Sequence, residues 1–366
     1  MEFLANYGLF FAKAVTVVIA FGAIVIMIVS ASGRGRKADK GHIEVNHLNE
    51  KFEEMRDSLQ AALLDPEALK LHDKAEKKRL KAERAEQKKK AKQNQEQVAA
   101  STDADKAEDI AGAAQKKRVF VLDFVGDIKA SECDNLREEI NAVLTLATPA
   151  DEVVVKVESG GGMVHSYGLA SSQLARFTDR KIPLTVCVDK VAASGGYMMA
   201  CVADKILAAP FAVLGSIGVV AQLPNFHKLL KKNDIDYEMF TAGEYKRTVT
   251  MLGENTPKAK EKFKEDIEDT HELFKEFVSS HRPAVDIEKV ATGEVWFGKR
   301  ALEVALVDEI KTSDEYLLTL SETANIYEVE FTVKKSIQEK FGLAAQSAAD
   351  RLLMTWWERL NLQRWF

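Results

Sequence analysis

Residues 188–206, VDKVAASGGYMMACVADKI, decide how this chain folds. A β-branched run, Ile182 to Val188, leads into them and reads as a strand. Two alanines, Ser194 and two glycines follow, then an apolar segment of helical character. Another strand-like run, DKILAAP, comes next. Strand, tight turn, helix, strand is the unit of a parallel sheet. The turn holds one hydroxyl among the smallest residues available, and two readings of it stand. Serine is a preferred helix N-cap, with the glycines merely permitting the turn. The same geometry suits a nucleophile: it meets the helix dipole and free backbone N–H groups, and small neighbours admit a substrate backbone.

Outward from that stretch the alternation continues. Val119 to Val125 reads as a strand, and Ser131, three residues before Asp134, as the N-cap of a helix with Leu136, Ile140, Val143 and Leu144 on one face. EVVVKVES is a strand, YGLASSQLARF a helix and IPLTVCV a strand. A helix is expected from Thr256 to Ser280, with Thr256 as N-cap and Pro257 at the first helical position. Near-continuous apolar strands alternating with helices predict an α/β fold around a buried parallel sheet. No fixed-period repeat interrupts it.

The chain has 366 residues, and its 46% hydrophobic and 29% charged content is that of a globular protein. Ala14 to Ala31 carry no charge and, with Gly8 to Ala12 before Lys13, reach the length needed to cross a bilayer. The run is long for a cleavable leader and Glu2 stands ahead of it, so residues 1–40 are read as a retained anchor with a span at about 8–31 and lipid as its partner. Arg34, Arg36, Lys37 and Lys40 follow the span, a positive flank that favours a cytoplasmic C-terminal side.

Residues 41–117 are polar and read as a charged linker, helical or disordered. Lys70 to Lys92 hold eleven Lys or Arg against four Asp or Glu, a balance of +7; with −5 overall, the remainder carries −12. That acidic balance excludes a general affinity for nucleic acid. Residues 118–325 form the body, and 326–366 a C-terminal strand and an amphipathic helix with Leu352, Leu353, Trp356 and Leu360 on one side.

For chemistry, a serine needs a base. His165 follows a glycine turn and has no Asp partner by motif; His227 and His271 fall in amphipathic helix patterns. Lys246 lies in TAGEYKRT, after a strand-like DYEMFTA, and could serve only where burial strips its proton. A third element, VESGGGMVHSYG, puts Gly160, Gly161 and Gly162 between strand and helix. Its spacing is wrong for a Rossmann or phosphate loop, but it permits close approach of another backbone. Cys133, Cys187 and Cys201 have neither disulfide nor zinc spacing and read as buried thiols. No metal or cofactor is expected.

ESGGGMV, DKVAASGGYMMA, GSIGVVAQ, GEYKR and TGEVWFGKRALEVALVDEI, in that order and spacing, resemble the signal-peptide-peptidase-A-type serine peptidases. The likeness is greatest to their short, single-repeat, membrane-anchored members. The resemblance implies a crotonase-like (ClpP-like) α/β spiral, a homo-oligomeric ring, and an inner-membrane serine endopeptidase acting on membrane-associated or unfolded peptides such as signal-peptide remnants. It makes Ser194 the nucleophile, Lys246 the general base, and Gly161, Gly162 and Gly195 the oxyanion and substrate-strand positions. It also implies an extracytoplasmic body, against the flank charges. The chain departs from the pattern at Gly160, where proline is usual, and at Ala305, where glycine is common. A crotonase-type acyl-thioester enzyme and an inactive membrane scaffold are the alternatives.

Overall fold

The computed structural model describes residues 41–63 and 116–333, together with the single positions 13 and 16. The expected membrane span, the basic part of the linker and the C-terminal amphipathic helix lie outside the described residues. Among the described residues no helix is long and apolar enough to cross a membrane.

The elements run β1 (His42–His47), α1 (Leu48–Leu63), β2 (Arg118–Gly126), α2 (Cys133–Leu144), β3 (Glu152–Ser159), α3 (Val164–Asp179), β4 (Leu184–Val188), β5 (Val191–Ala193), α4 (Gly195–Ala200), β6 (Lys205–Ala208), β7 (Val213–Gly215), α5 (His227–Lys232), α6 (Pro257–His281), α7 (Ile287–Val290), β8 (Val295–Phe297), α8 (Gly298–Glu303), β9 (Glu309–Ile310), α9 (Ser313–Ser321) and β10 (Asn325–Thr332). The main sheet has the order β1-β10-β2-β3-β4-β6-β9, and a branch leaves β3 through β5 and β7 to β8. From β10 to β9 the pairings are parallel, as are β3–β5 and β5–β7; β8 is antiparallel to β7. This is the expected α/β architecture with a mostly parallel sheet.

The strands read as apolar runs because both faces are covered. Phe120, Leu122 and Phe124 of β2 enter the larger core with Leu136, Ile140, Leu174 and Phe177 of α2 and α3. Val119 and Val121, on the opposite face, enter a smaller cluster with Leu48 of α1, Leu317 of α9 and Ile326 of β10. The polar stretch read as a linker therefore opens with a strand and a helix of the fold, and the segment beginning at 326 supplies a strand between β1 and β2.

Three local expectations are corrected. Ser131 is not an N-cap: α2 begins at Cys133, and Ser131 instead gives its N–H and its hydroxyl to Asp127, each at 2.8 Å. No strand forms over DYEMFTA, whose residues are exposed and irregular. IPLTVCV and DKILAAP form strands only over Leu184–Val188 and Lys205–Ala208. Thr256 does cap α6, accepting from the Ala259 N–H, with Pro257 in the first turn.

At the far end of α6, Arg282 is buried and forks onto Asp308 at 2.9 and 2.8 Å, with a third bond to the Ala305 carbonyl at 2.9 Å. Asp308 also accepts the Ile206 N–H at 2.7 Å. Ala305 has φ 60°, the left-handed helix exit that glycine enters without strain.

Candidate active site

Ser194 joins β5 to α4 at φ 52°, ψ −118°, a conformation costly for a residue with a Cβ. Its backbone is tied on both sides. The N–H donates to the Gly215 carbonyl at 2.7 Å, and the carbonyl accepts from the Met198 N–H at 2.9 Å. Ser194 stands at the N-cap position of α4, but its side chain makes no capping hydrogen bond. The hydroxyl is half-buried and borders a small groove with Val164, Met198, Val219, Thr270 and Phe274.

The glycine loop packs directly against this turn. Gly161 has φ +84°, and a Cβ there would stand 2.6 Å from the Gly195 nitrogen and 2.8 Å from the Ser194 Cβ. A Cβ on Gly162 would collide with the Ile128 carbonyl, and one on Gly195 with the Tyr167 ring. On Gly196 it would stand 2.5 Å from the Ser159 carbonyl. Gly161, Gly162 and Gly196 are glycine because backbone meets backbone there, and Gly195 because the Tyr167 ring fills the space. The Gly161 N–H is already used, donating to Ser159 Oγ at 3.0 Å. The N–H groups of Gly162 and Gly195 have no acceptor among the described residues. Gly160 is exposed, and nothing stands within 4 Å of where its Cβ would be.

Ser194, Gly161, Gly162 and Gly195 are thus brought together. Lys246 is not among them. It sits in an irregular, exposed segment, its N–H turned to the Gly243 carbonyl at 3.2 Å. Its neighbour Tyr245 is exposed as well. The flanks are pinned to α6: Glu244 pairs with Lys258 at 2.8 Å, and Lys262 lies 5.7 Å from the centre of the Tyr245 ring. The Lys246 ammonium has no ion pair or hydrogen bond among the described residues.

His165 is exposed, and His271 faces the Ile217 carbonyl at 3.3 Å; among the described residues no histidine meets Ser194. Nor does any described cluster of His, Cys, Asp and Glu have the makings of a metal site. The three cysteines are buried and unpaired, and burial pushes the Cys187 thiol up to about 12.

Ser159 and Tyr167 were not singled out from sequence, yet they underlie the loop. Tyr167 is fully buried and donates to the Asp127 carbonyl at 2.6 Å; Ser159 Oγ lies 2.5 Å from its hydroxyl. Burial raises the phenol's pKa, which keeps it a donor. The available signal was a tyrosine one turn into the helix that follows the glycines.

A family model described as Peptidase family S49 N-terminal matches residues 2–174, and one described as Peptidase family S49 matches residues 176–327. The protein named "Probable protease SohB" from Haemophilus influenzae is 48% identical over 352 residues, 96% of this chain and 96% of that one. A protein of the same name from Buchnera aphidicola subsp. Schlechtendalia chinensis is 45% identical over 319 residues, covering 87% of this chain and 100% of that one. A solved structure of the 1510-N membrane-bound stomatin-specific protease with a substrate peptide aligns at TM-score 0.39 and 12% identity, over 62% of this chain and 96% of the other.

Proposed function

The chain belongs to peptidase family S49, and from that premise we propose that it is a membrane-anchored serine endopeptidase working through Ser194 and Lys246. The observation that carries the reading is the Ser194 turn: a strained residue, tied by its backbone, whose hydroxyl serves no cap and borders a small groove. Strain of this kind persists where surrounding structure fixes it, and it collects at reactive sites.

Neutral Lys246 takes the proton from the Ser194 hydroxyl as its oxygen attacks the peptide carbonyl. The oxyanion sits against the unused N–H groups of Gly195 and Gly162, and Gly161 shapes the loop while its own N–H is bound to Ser159. Protonated Lys246 then gives its proton to the leaving amine. Water attacks the acyl-enzyme, and the serine is restored.

Lys246 must be covered to lose its proton, and the exposed segment around it supports a covering by substrate or by a second copy in a ring. That segment carries Val220 at 80% and Phe240 at 89% exposure, apolar surface suited to such a contact. The groove's apolar lining supports an apolar peptide as substrate. The uncharged run within 8–31 supports a single-pass anchor in the inner membrane. The branch of the sheet at β3 supports the crotonase-like spiral.

The test is hydrolysis of an apolar fluorogenic peptide by the full chain in detergent micelles. Ser194→Ala and Lys246→Ala should each lower kcat by at least about 10³-fold with unchanged unfolding midpoints. Activity that survives Ser194→Ala overturns the reading.

A further inference from the structure

Beneath the glycine loop runs a chain of hydrogen bonds that the reaction above does not use. It starts at the loop itself, where the Gly161 N–H donates to Ser159 Oγ at 3.0 Å. Ser159 Oγ lies 2.5 Å from the Tyr167 hydroxyl, and Tyr167 donates to the Asp127 carbonyl at 2.6 Å. Tyr167 has a single proton and spends it on Asp127, so the short bond is donated by Ser159, whose other acceptor, the Gly126 carbonyl, stands farther off at 3.3 Å. All three bonds then run in one direction, an order in which each strengthens the next. Ser159 is 2% and Tyr167 0% exposed, so both hydroxyls are shielded from bulk solvent.

The same two residues touch the nucleophile's side. The Tyr167 ring fills the space where a Cβ on Gly195 would lie, and the Ser159 carbonyl backs Gly196. Ser159 is also the β3 residue that pairs with Ala192 of β5, two positions before Ser194. The Asp127 loop is rigid in turn, with its carboxylate accepting from Ser131 and Lys129 and held below the usual carboxylate range by those bonds. From that loop the Ile128 carbonyl receives the Met163 N–H at 2.8 Å and closes over Gly162.

We propose that Ser159 and Tyr167 are positioning residues that set the spacing between the glycine loop and the Ser194–Gly195 turn, and so aim the Gly162 and Gly195 N–H groups at one point. The inference rests on the serine-peptidase reading. Because the hydroxyls position the oxyanion donors rather than the bound peptide, their loss should appear in kcat and leave KM in place.

The experiment compares Tyr167→Phe, Ser159→Ala and Tyr197→Phe in the full-length protein. Tyr197 is the control: its hydroxyl is equally buried, on α4, but donates to the Leu306 carbonyl at 2.9 Å, away from the loop. Two rates are read, phosphonylation of Ser194 by a fluorophosphonate probe and hydrolysis of the apolar peptide, with unfolding midpoints alongside. Tyr167→Phe and Ser159→Ala should slow phosphonylation and kcat together by about 10- to 100-fold, somewhat less than deleting an oxyanion donor outright, with KM within twofold. Tyr197→Phe should lose comparable stability and keep both rates within about threefold. Equal rates for Tyr167→Phe and Tyr197→Phe, or a change confined to KM, overturn the positioning role alone. A wild-type chain that neither labels at Ser194 nor hydrolyses peptide overturns the serine-peptidase reading and the inference with it.

Discussion

The two halves of the proposed site are built in opposite ways. Around Ser194 every approach is fixed: β5 pairs with β3 and β7, the backbone is tied at both ends, and Gly161, Gly162, Gly195 and Gly196 all meet atoms that leave no room for a methyl group. Around Lys246 the chain is irregular and exposed, and only its flanks are tied, by Glu244 to Lys258 and by Tyr245 to Lys262. No residue between Ile217 and Phe274 is buried, and α5 presents none to a core. A nucleophile and an oxyanion site must hold their geometry before substrate arrives, since rearrangement in the transition state forfeits the stabilisation. A lysine base has a different need, which is the removal of water. That can be supplied late, by whatever covers the segment. The fold therefore invests its core in the serine and leaves the lysine on the surface to be completed.

The largest expected break of this contrast comes from paired glycine substitutions. Gly195→Ala drives a methyl group into the Tyr167 ring, whose Cδ2 and Cβ would stand at 2.7 and 2.8 Å. It should destabilise the protein by about 3 kcal/mol or more and cut peptide hydrolysis at least about 100-fold. Gly243→Ala, three residues from Lys246, has φ +100° and only the Lys246 Cβ nearby, at 3.9 Å. It should cost only backbone strain, about 1 kcal/mol, with kcat and KM changed less than threefold. Urea unfolding midpoints and steady-state rates measure both. Equal losses at the two positions would mean that the lysine segment is as tightly built as the serine turn.

A second separation uses pH. The exposed segment holds no buried titratable group, so pH dependence of stability near neutrality must come from the frame. Glu139 of α2 is its strongest source. The residue is 5% exposed; Oε1 accepts the Phe331 N–H at 2.9 Å, and Oε2 is buried without a partner. Burial raises its pKa from 4.5 to about 7; the Phe331 N–H pulls it down in part, while Glu330, Glu132 and Asp123 push it further up. The folded state thus keeps a proton that the unfolded chain releases. The resulting stabilisation is complete below about pH 4.5 and is lost as pH rises through about 7, a change of about 3 kcal/mol. Glu139→Gln should flatten that decline without moving the pH profile of hydrolysis. A decline that persists in the variant would place its origin elsewhere.

The parts legible in the sequence were those set by neighbours in the chain. The apolar runs of β2, β3 and β4 announced a sheet covered on both faces, and Thr256 with Pro257 marked a helix start that forms as read. Ser131 misled because Asp127, four residues earlier, captures both of its donors in a turn. DYEMFTA has a strand's composition but no strand beside it to complete a ladder. The place of β1 and β10 was hidden for the converse reason: their pairing spans most of the chain, and neither carries a signature of its partner. In the site, the resemblance and the small residues pointed to Ser194 and its glycines. Spacing alone could not show that the Gly161 N–H is already spent on Ser159, nor that Lys246 stands uncovered. Both are facts of tertiary contact.

The smallest effect, and the sharpest test of how fixed the serine side is, lies at Gly160. The resemblance drawn from the sequence implies proline there, and a glycine in its place suggests a loosened loop. The structure argues otherwise. Gly161 is anchored by Ser159, Gly162 is closed over by Ile128, and Ser159 itself is the last residue of β3. A loop clamped at the very next residue has little freedom left for proline to remove. Gly160 is exposed, nothing stands within 4 Å of its Cβ position and its φ lies outside the left-handed region; the preceding residue, Ser159, is in a strand, the conformation that proline demands before it. Gly160→Pro should therefore act mainly on the unfolded chain, raising stability by about 0.5 kcal/mol and leaving kcat within twofold. A fivefold rise in kcat would mean that the loop is not held by Ser159 and Tyr167 and that the chain works below the rate its fold allows. A neutral result leaves Lys246, and whatever covers it, as the place where the two halves of the site still differ.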